Sequence, residues 1–399
     1  MSTAPLRDAL AEALPDRPFR VALWDGTELP PTNGDGGPVF SVRSPLALGH
    51  MLRSPGQLGL GRAYVAGALE VDDVDKVLAL LDGYDPPPVD ARTKARLAAA
   101  AARAGALRQV PRTPSVELRP QGRRHSIARD KRAVTHHYDV SNAFFERFLG
   151  PSMVYSCAVW SRGAETLEEA QETKLELVCT KLGLKPGDRV LDVGCGWGGF
   201  AVHAAKHHGA HVTGITLSAP QAEGARQRAQ DASVADRVDI RVQDYRALAG
   251  ERYDAIASIG MVEHVGAANI DAYAQTLADL LGPGGRLLNH GIARLRHGES
   301  EAGPFSERYV FPDAAPLHLS RVSLALERAG FETEHVEGFR LDYARTLREW
   351  TRRLEADPAE AVRLAGPERM RVWQVFLRAA RRGFETGFTS IYQVQAVKA

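Results

Sequence analysis

The residues with the most chemical content lie at 190–200, Val-Leu-Asp-Val-Gly-Cys-Gly-Trp-Gly-Gly-Phe. An apolar run ends in Gly194, Gly196 and Gly199, and helix-forming residues follow. Glycines at such a turn let a ligand approach the backbone, and the start of the next helix favours a negative group. The spacing matches the G-x-G-x-x-G of dinucleotide sites, a weak signal by itself. Two features argue against a pyrophosphate. Asp192 precedes the first glycine by two residues, where its carboxylate repels a pyrophosphate and attracts the ammonium of an amino-acid-like ligand. The next apolar segment ends Gly-Ile-Thr-Leu-Ser, without the acid that holds a dinucleotide ribose. Asp192 with this glycine turn fits S-adenosylmethionine (SAM).

The elements that must position the turn are legible downstream of Val134. A helix over TLEEAQETKLELVCTKLGL opens with Thr166 and, three residues on, Glu169, a capping box. RVLDVGCG, HVTGITLS, VDIRVQD, YDAIASIG and RLLNHGIARL read as strands, interleaved with helical segments. Repeated βα units predict an α/β fold with a doubly wound, mostly parallel, Rossmann-like sheet over 131–399. Residues 1–90 predict a smaller N-terminal α+β domain, with a hairpin at Asp25-Gly26 and a break at Pro86-Pro87-Pro88. Residues 91–130 predict a basic helical linker.

The chain has 399 residues, 44% hydrophobic and 25% charged, which excludes global disorder. Its three cysteines form no C-x-x-C pair, so neither a disulfide framework nor a cysteine-rich zinc site is expected, and no metal is assigned. The first residues lack the apolar core of a signal peptide, and no apolar run is long enough to span a bilayer, so a cytoplasmic protein is expected. The net charge of +1 hides an uneven distribution. Residues 1–91 hold 13 acids and 7 bases, whereas 92–132 hold 12 bases and two acids. That stretch is either a solvated linker or a contact with an anionic surface. It contains no Phe, Tyr or Trp, which weighs against single-stranded nucleic acid.

Several blocks in order resemble the cyclopropane fatty acid synthase family: HHYDVSNAFFERFL, MVYSCAVW, QETKLELVCTKLGLKPGDRVLDVGCGWGG, GITLSAPQ, IGMVEHVG and VWQVFLRAARRGFETG. The similarity covers roughly 125–399, and the N-terminal part resembles the accessory domain of the phospholipid-acting members. The resemblance implies that Tyr155 and Ser156, with Gly194, hold the methionine end of SAM. It also implies that Thr216 and Gln221 take the ribose and adenosine side, that Asp244 and Tyr245 contact the adenine, and that Trp197 lines the same pocket, with Asp192 and Gly196. Each has a plainer reading as a cap or core residue.

An isolated cis alkene attacks a sulfonium methyl only when held in line and shielded from water. The carbocation that results needs aromatic faces, not nucleophiles, around it. Phe144, Phe145, Trp160, Tyr309 and Tyr343 are candidates, with core packing as the alternative for each. In the family the proton acceptor is a bound bicarbonate, and the matching ligands are Cys157, Glu263, His290, Tyr343 and the backbone of Ile292. Glu146, inside Phe-Phe-Glu-Arg-Phe-Leu, becomes a second candidate base if it is buried; otherwise it is a surface residue. His136, His137, His207 and His208 receive no role. Val159 departs from the aromatic common after YSCA, which bears on the alkene pocket and the product.

The resulting expectation is SAM-dependent alkylation of the cis double bond of an oleoyl-type chain on a membrane phospholipid. The product is a cyclopropane or a 10-methylene chain. The enzyme is expected to be cytoplasmic and peripheral to the inner face of an anionic membrane, binding no nucleic acid, with a homo-oligomer left open. The alternatives are a small-molecule N- or O-methyltransferase and a non-enzymatic lipid-binding module.

Overall fold

A computed structural model describes residues 2–34, 36–119, 121–138, 140–248, 250–296 and 303–399. The chain forms two compact units. The first comprises Met1–Glu117, Gly303–Tyr309 and Ala365–Ala379, and the second comprises Leu118–Ala302, Val310–Leu364 and Ala380–Ala399.

The first unit contains strands β1 (Arg20–Ala22), β2 (Glu28–Leu29), β3 (Val39–Val42) and β4 (Leu69–Val71) in the order β2-β1-β3-β4. The β1–β2 hairpin turns at Gly26, whose φ of 86° suits glycine. Leu6, Phe19, Leu29, Ala63 and Leu69 form its core. That core also takes Ala100 and Ala101 from the helix Ala91–Arg103. Residues expected as linker therefore fold into this unit: the small apolar face of an alanine-rich helix is buried while Arg92, Lys94 and Arg103 stay exposed.

The second unit is built on seven strands: β5 (Arg189–Val193), β6 (His211–Thr216), β7 (Val238–Val242), β8 (Tyr253–Ile259), β9 (Leu281–Arg294), β10 (Phe331–Gly338) and β11 (Thr389–Lys398). Their order is β10-β11-β9-β8-β5-β6-β7. Strands β5 to β9 are parallel, and β11 inserts antiparallel between β9 and β10. The α/β class and mostly parallel sheet expected from the sequence are present. Chain order reverses between β5 and β8, a topological switch point where such sheets bind ligands beyond their carboxyl ends. Helices cover both faces: Val178, Ala201, Ala204 and Ala225 pack on one side and Tyr273, Leu277, Ala325 and Leu326 on the other. The capping box at Thr166 and Glu169 starts the helix Leu167–Leu182.

Candidate active site

Strand β5 ends in a turn held by the backbone N–H groups of Gly194 and Cys195, which both donate to the Ile215 carbonyl at 3.0 and 2.9 Å. Gly194 and Gly198 have φ of 78°. A Cβ on Gly198 would stand 2.9 Å from that of Ala225, so conformation and packing both demand glycine there. The helix Gly199–His208 follows.

One cavity lies over this turn. Tyr155, Ser156, Asp192, Gly194, Gly196, Trp197, Thr216, Gln221, Asp244 and Tyr245, the ten residues expected to bind the cofactor, all line it. Thr216 Oγ1 donates to Gln221 Oε1 at 2.8 Å, so the β6 end and the next helix are coupled. Both oxygens of Asp244 accept from the Arg246 guanidinium, at 2.8 and 2.7 Å. Trp197 Nε1 donates to Asn142 Oδ1 at 2.8 Å, which fixes the indole at the cavity wall.

Asp192 is buried, and burial pushes its carboxyl up to about 7. Its Oδ2 has no hydrogen-bond partner among the described residues. Lys174, which the sequence reading did not single out, is buried behind the same wall, and its Nζ donates to Ser156 Oγ at 3.0 Å. Burial pulls Lys174 down to about 8, partly offset by Cys157 and Asp192. An orphaned carboxylate oxygen beside a glycine turn fits the ammonium of an amino-acid ligand such as SAM.

A second buried group sits at the ends of β8 and β9. Glu263 lies on the turn Val262–His264 after β8. His290 pairs with Ile259 across the β8–β9 ladder. Burial pushes Glu263 up to about 7, against backbone hydrogen bonds from Glu263 and Ile292. Glu263 Oε2 and His290 Nε2 are both buried without partners among the described residues. Gly291 keeps space there, since a Cβ would stand 2.1 Å from Val262 Cγ1 and 3.3 Å from Glu263 Oε2. The orphaned acid and imidazole suit a small oxyanion such as bicarbonate.

The tautomer of His290 is set from a distance. Lys181 Nζ donates to Glu337 at 2.6 Å and to Gln393 Oε1 at 2.7 Å. The Gln393 amide nitrogen is thereby turned toward His290 Nδ1, 3.2 Å away. An amide nitrogen can only donate, so Nδ1 accepts and the ring proton stays on the unpartnered Nε2. Burial holds His290 well below its ordinary value, hence neutral.

Cys157 and Tyr343 belong to the same neighbourhood: the Tyr343 hydroxyl is raised by burial and then by Cys157, Glu263 and Tyr138. Cys157 is fully buried, its thiol held protonated by burial and bonded to the Ala158 carbonyl. Around them lies an aromatic cluster the sequence showed only in part. Tyr155 stacks on Trp350 at 5.2 Å and meets Tyr138, Phe145 and Phe148 edge-on within 6.4 Å. His137 is buried against it, 3.3 Å from the Tyr155 hydroxyl.

Three expectations change. Glu146 is not buried: Phe144, Phe145, Phe148 and Leu149 form the inner face of the helix Asn142–Leu149, and Glu146 is exposed on the other face. It is therefore removed as a base. Tyr309 lies in the first unit, donating to Glu117 at 2.9 Å. Trp160 donates from Nε1 to Thr346 at 3.0 Å with Arg345 over its ring, so a cation already occupies that face.

This switch-point cavity and sheet define a class I SAM-dependent methyltransferase. Residues 125–394 match the family described as mycolic acid cyclopropane synthetase, and the chain belongs to that family. It is 38% identical to the "Probable fatty acid methyltransferase Rv3720" of Mycobacterium tuberculosis, covering 96% of this chain and 91% of that one. It is 33% identical to the cyclopropane-fatty-acyl-phospholipid synthase of Escherichia coli K12, covering 91% and 88%. The solved mycolic acid cyclopropane synthase CmaA1, complexed with SAH and CTAB, superposes with a TM-score of 0.63 at 31% identity, over 67% of this chain and 98% of that one.

Proposed function

We propose that the enzyme alkylates the cis double bond of an unsaturated, oleoyl-type acyl chain on a membrane phospholipid, giving a cyclopropane or a 10-methylene chain. The observation that carries this reading is the buried pair Glu263 and His290, orphaned beside an aromatic cluster and next to the cofactor cavity. An N- or O-methyltransferase acts on a nucleophile that already has a lone pair and needs no chamber of this kind. When bound, SAM supplies an electrophilic methyl and bicarbonate a basic oxygen. Asp192, Tyr155, Ser156 and the glycine turn orient the methyl donor; Thr216, Gln221, Asp244, Tyr245 and Trp197 hold its nucleoside side. The faces of Tyr155, Phe145, Tyr343 and Trp350 stabilise positive charge on the acyl chain without trapping it. Glu263, the His290 Nε2–H, Cys157, Tyr343 and the Ile292 backbone hold the proton acceptor. Loss of a proton from the added methyl closes the ring. A hydride shift before proton loss leaves a methylene.

Peripheral contact with an anionic membrane face, on the cytoplasmic side, belongs to the same proposal. Among the described residues no helix is long and apolar enough to cross a membrane. Leu107 and Val110 are 72% and 67% exposed, among exposed Arg103, Arg108 and Arg112. Apolar tips between cations suit an anionic interface.

The test is incubation with SAM and dioleoyl phospholipid vesicles, followed by proton NMR of the released fatty esters. Cyclopropane protons far upfield, or exocyclic methylene protons in the vinyl region, are the expected result. Methylation on a head group or a small molecule, with neither signal, would overturn the proposal.

A further inference from the structure

The helices Leu167–Leu182 and Gly199–His208 flank the glycine turn on one face of the sheet. Where they meet, Cys179, His203 and His208 each offer a ligand atom, and these atoms all lie within 4.8 Å of one another. Glu176 joins them: its Oε2 is 3.1 Å from His203 Nε2 and 3.0 Å from His208 Nε2. Two imidazole nitrogens thus converge on one point from one helix, while a thiol and a carboxylate three residues apart face it from the other. None of the four belongs to the site described above.

The donor set is informative. Thiolate, imidazole and carboxylate together suit zinc, whereas calcium and magnesium take oxygen ligands. Zinc bonds of about 2.0–2.3 Å place tetrahedral ligand atoms roughly 3.3–3.8 Å apart. The carboxylate-to-imidazole spacings are already that short, and the thiol, within 4.8 Å of the imidazole ligand atoms, has at most about 1 Å to close. The backbones are fixed: Val178 and Leu182 on one helix, and Ala201, Ala204 and Ala205 on the other, are buried in one core. Cys179 and His203 are buried, while His208 is half-buried and Glu176 half-exposed, so an ion has an entry path.

We propose that Glu176, Cys179, His203 and His208 form a structural zinc site that clamps the helix Leu167–Leu182 to the helix Gly199–His208. Such a clamp steadies two elements of the cofactor site without touching the ligand, since the first helix carries Lys174 and the second begins at Gly199 of the glycine turn.

The test uses the full-length enzyme stripped with a chelator and titrated with Co²⁺, then with Zn²⁺ against a chromophoric competitor. Stoichiometric Co²⁺ binding with tetrahedral visible bands and a thiolate-to-cobalt charge-transfer band is expected. Cys179→Ala should lose the charge-transfer band. Because Cys179 is buried and its truncation removes core packing, His208→Gln and Glu176→Gln provide the second measurement. Each should weaken Zn²⁺ binding by about tenfold or more, and Zn²⁺ should raise the melting temperature of wild type more than that of His208→Gln. His207→Gln, which alters a neighbouring exposed histidine, should bind like wild type. Failure of wild type to bind Co²⁺ stoichiometrically, or equal Zn²⁺ affinity in wild type and His208→Gln, would overturn the site and leave a plain hydrogen-bonded cluster.

Discussion

At the scale of single residues, Asp192 makes its own test. In the ligand-free fold its carboxyl keeps a proton up to about 7, whereas the unfolded chain loses it near 3.8. A folded state that binds the proton more tightly loses stability as pH rises through that window. Relative to Asp192→Asn, the urea midpoint of the ligand-free wild type should therefore lose ground between about pH 4 and 7. SAM binding runs the other way, because its ammonium needs the ionised carboxylate. Below pH 7 the SAM dissociation constant should rise by up to about tenfold per pH unit in wild type, while Asp192→Asn binds weakly with a flatter profile; calorimetry across pH reads both. If Glu263 and His290 serve proton removal as proposed, Glu263→Gln and His290→Ala should cut turnover by about 10²-fold or more while leaving SAM affinity nearly intact. Gln393→Leu frees the His290 tautomer and should lower kcat by about tenfold, with histidine nitrogen NMR showing mixed tautomers; an unmixed spectrum would remove Gln393 as a positioning residue. Of these groups, Asp192 was visible in the sequence from its place before the glycine turn, whereas Glu263 and His290 were visible only through the family resemblance. Lys181 and Gln393 were not, since 212 residues separate them and only the folded contact between the helix Leu167–Leu182 and β11 joins them.

At the scale of elements, legibility followed periodicity. Strands β5, β6, β8 and β9 announce themselves because a buried parallel strand is largely an apolar run, and the edge strand β7 shows the alternation Val-Asp-Ile-Arg-Val with only Ile240 buried. Strand β10, Phe-Glu-Thr-Glu-His-Val-Glu-Gly, is an edge strand with only Phe331 buried, so it shows no apolar pattern. Strand β11 buries Ser390 and Gln393 among its apolar residues, which blurs its alternation. Glu146 was a case of composition obscuring period: four apolar neighbours suggested burial, although the helical repeat already places Glu146 and Arg147 on the outer face. The glycine turn offers the element-level test. Gly198→Ala puts a Cβ into a left-handed backbone position and against Ala225. It should cost about 1–3 kcal/mol of stability, read by denaturant unfolding, and raise the SAM dissociation constant along with it. An unchanged midpoint would show that the turn relaxes at no cost.

At the scale of the whole molecule, the basic stretch divides its labour. Arg129 is spent inside the second unit, its guanidinium paired with the largely buried Asp313, and Arg124 reaches the same carboxylate at 3.1 Å. The +10 balance of 92–132 therefore overstates the charge free to meet a membrane. The exposed run around Leu107 and Val110 is the better candidate. Replacing Leu107 and Val110 with Asp should weaken sedimentation with anionic vesicles about tenfold or more, most at low salt, and leave SAM binding unchanged; vesicle binding that matches wild type would remove this surface from the proposal. The placement of β11 has a consequence of another kind. The seven-stranded sheet is not closed in the order in which it is made: β10 has no neighbour until residues 389–398 arrive to separate it from β9. The same late strand carries Gln393 to His290. A chain can thus form its methyl-donor turn before the strand that orients His290 has been made, so the two halves of the proposed chemistry are finished at different moments of folding.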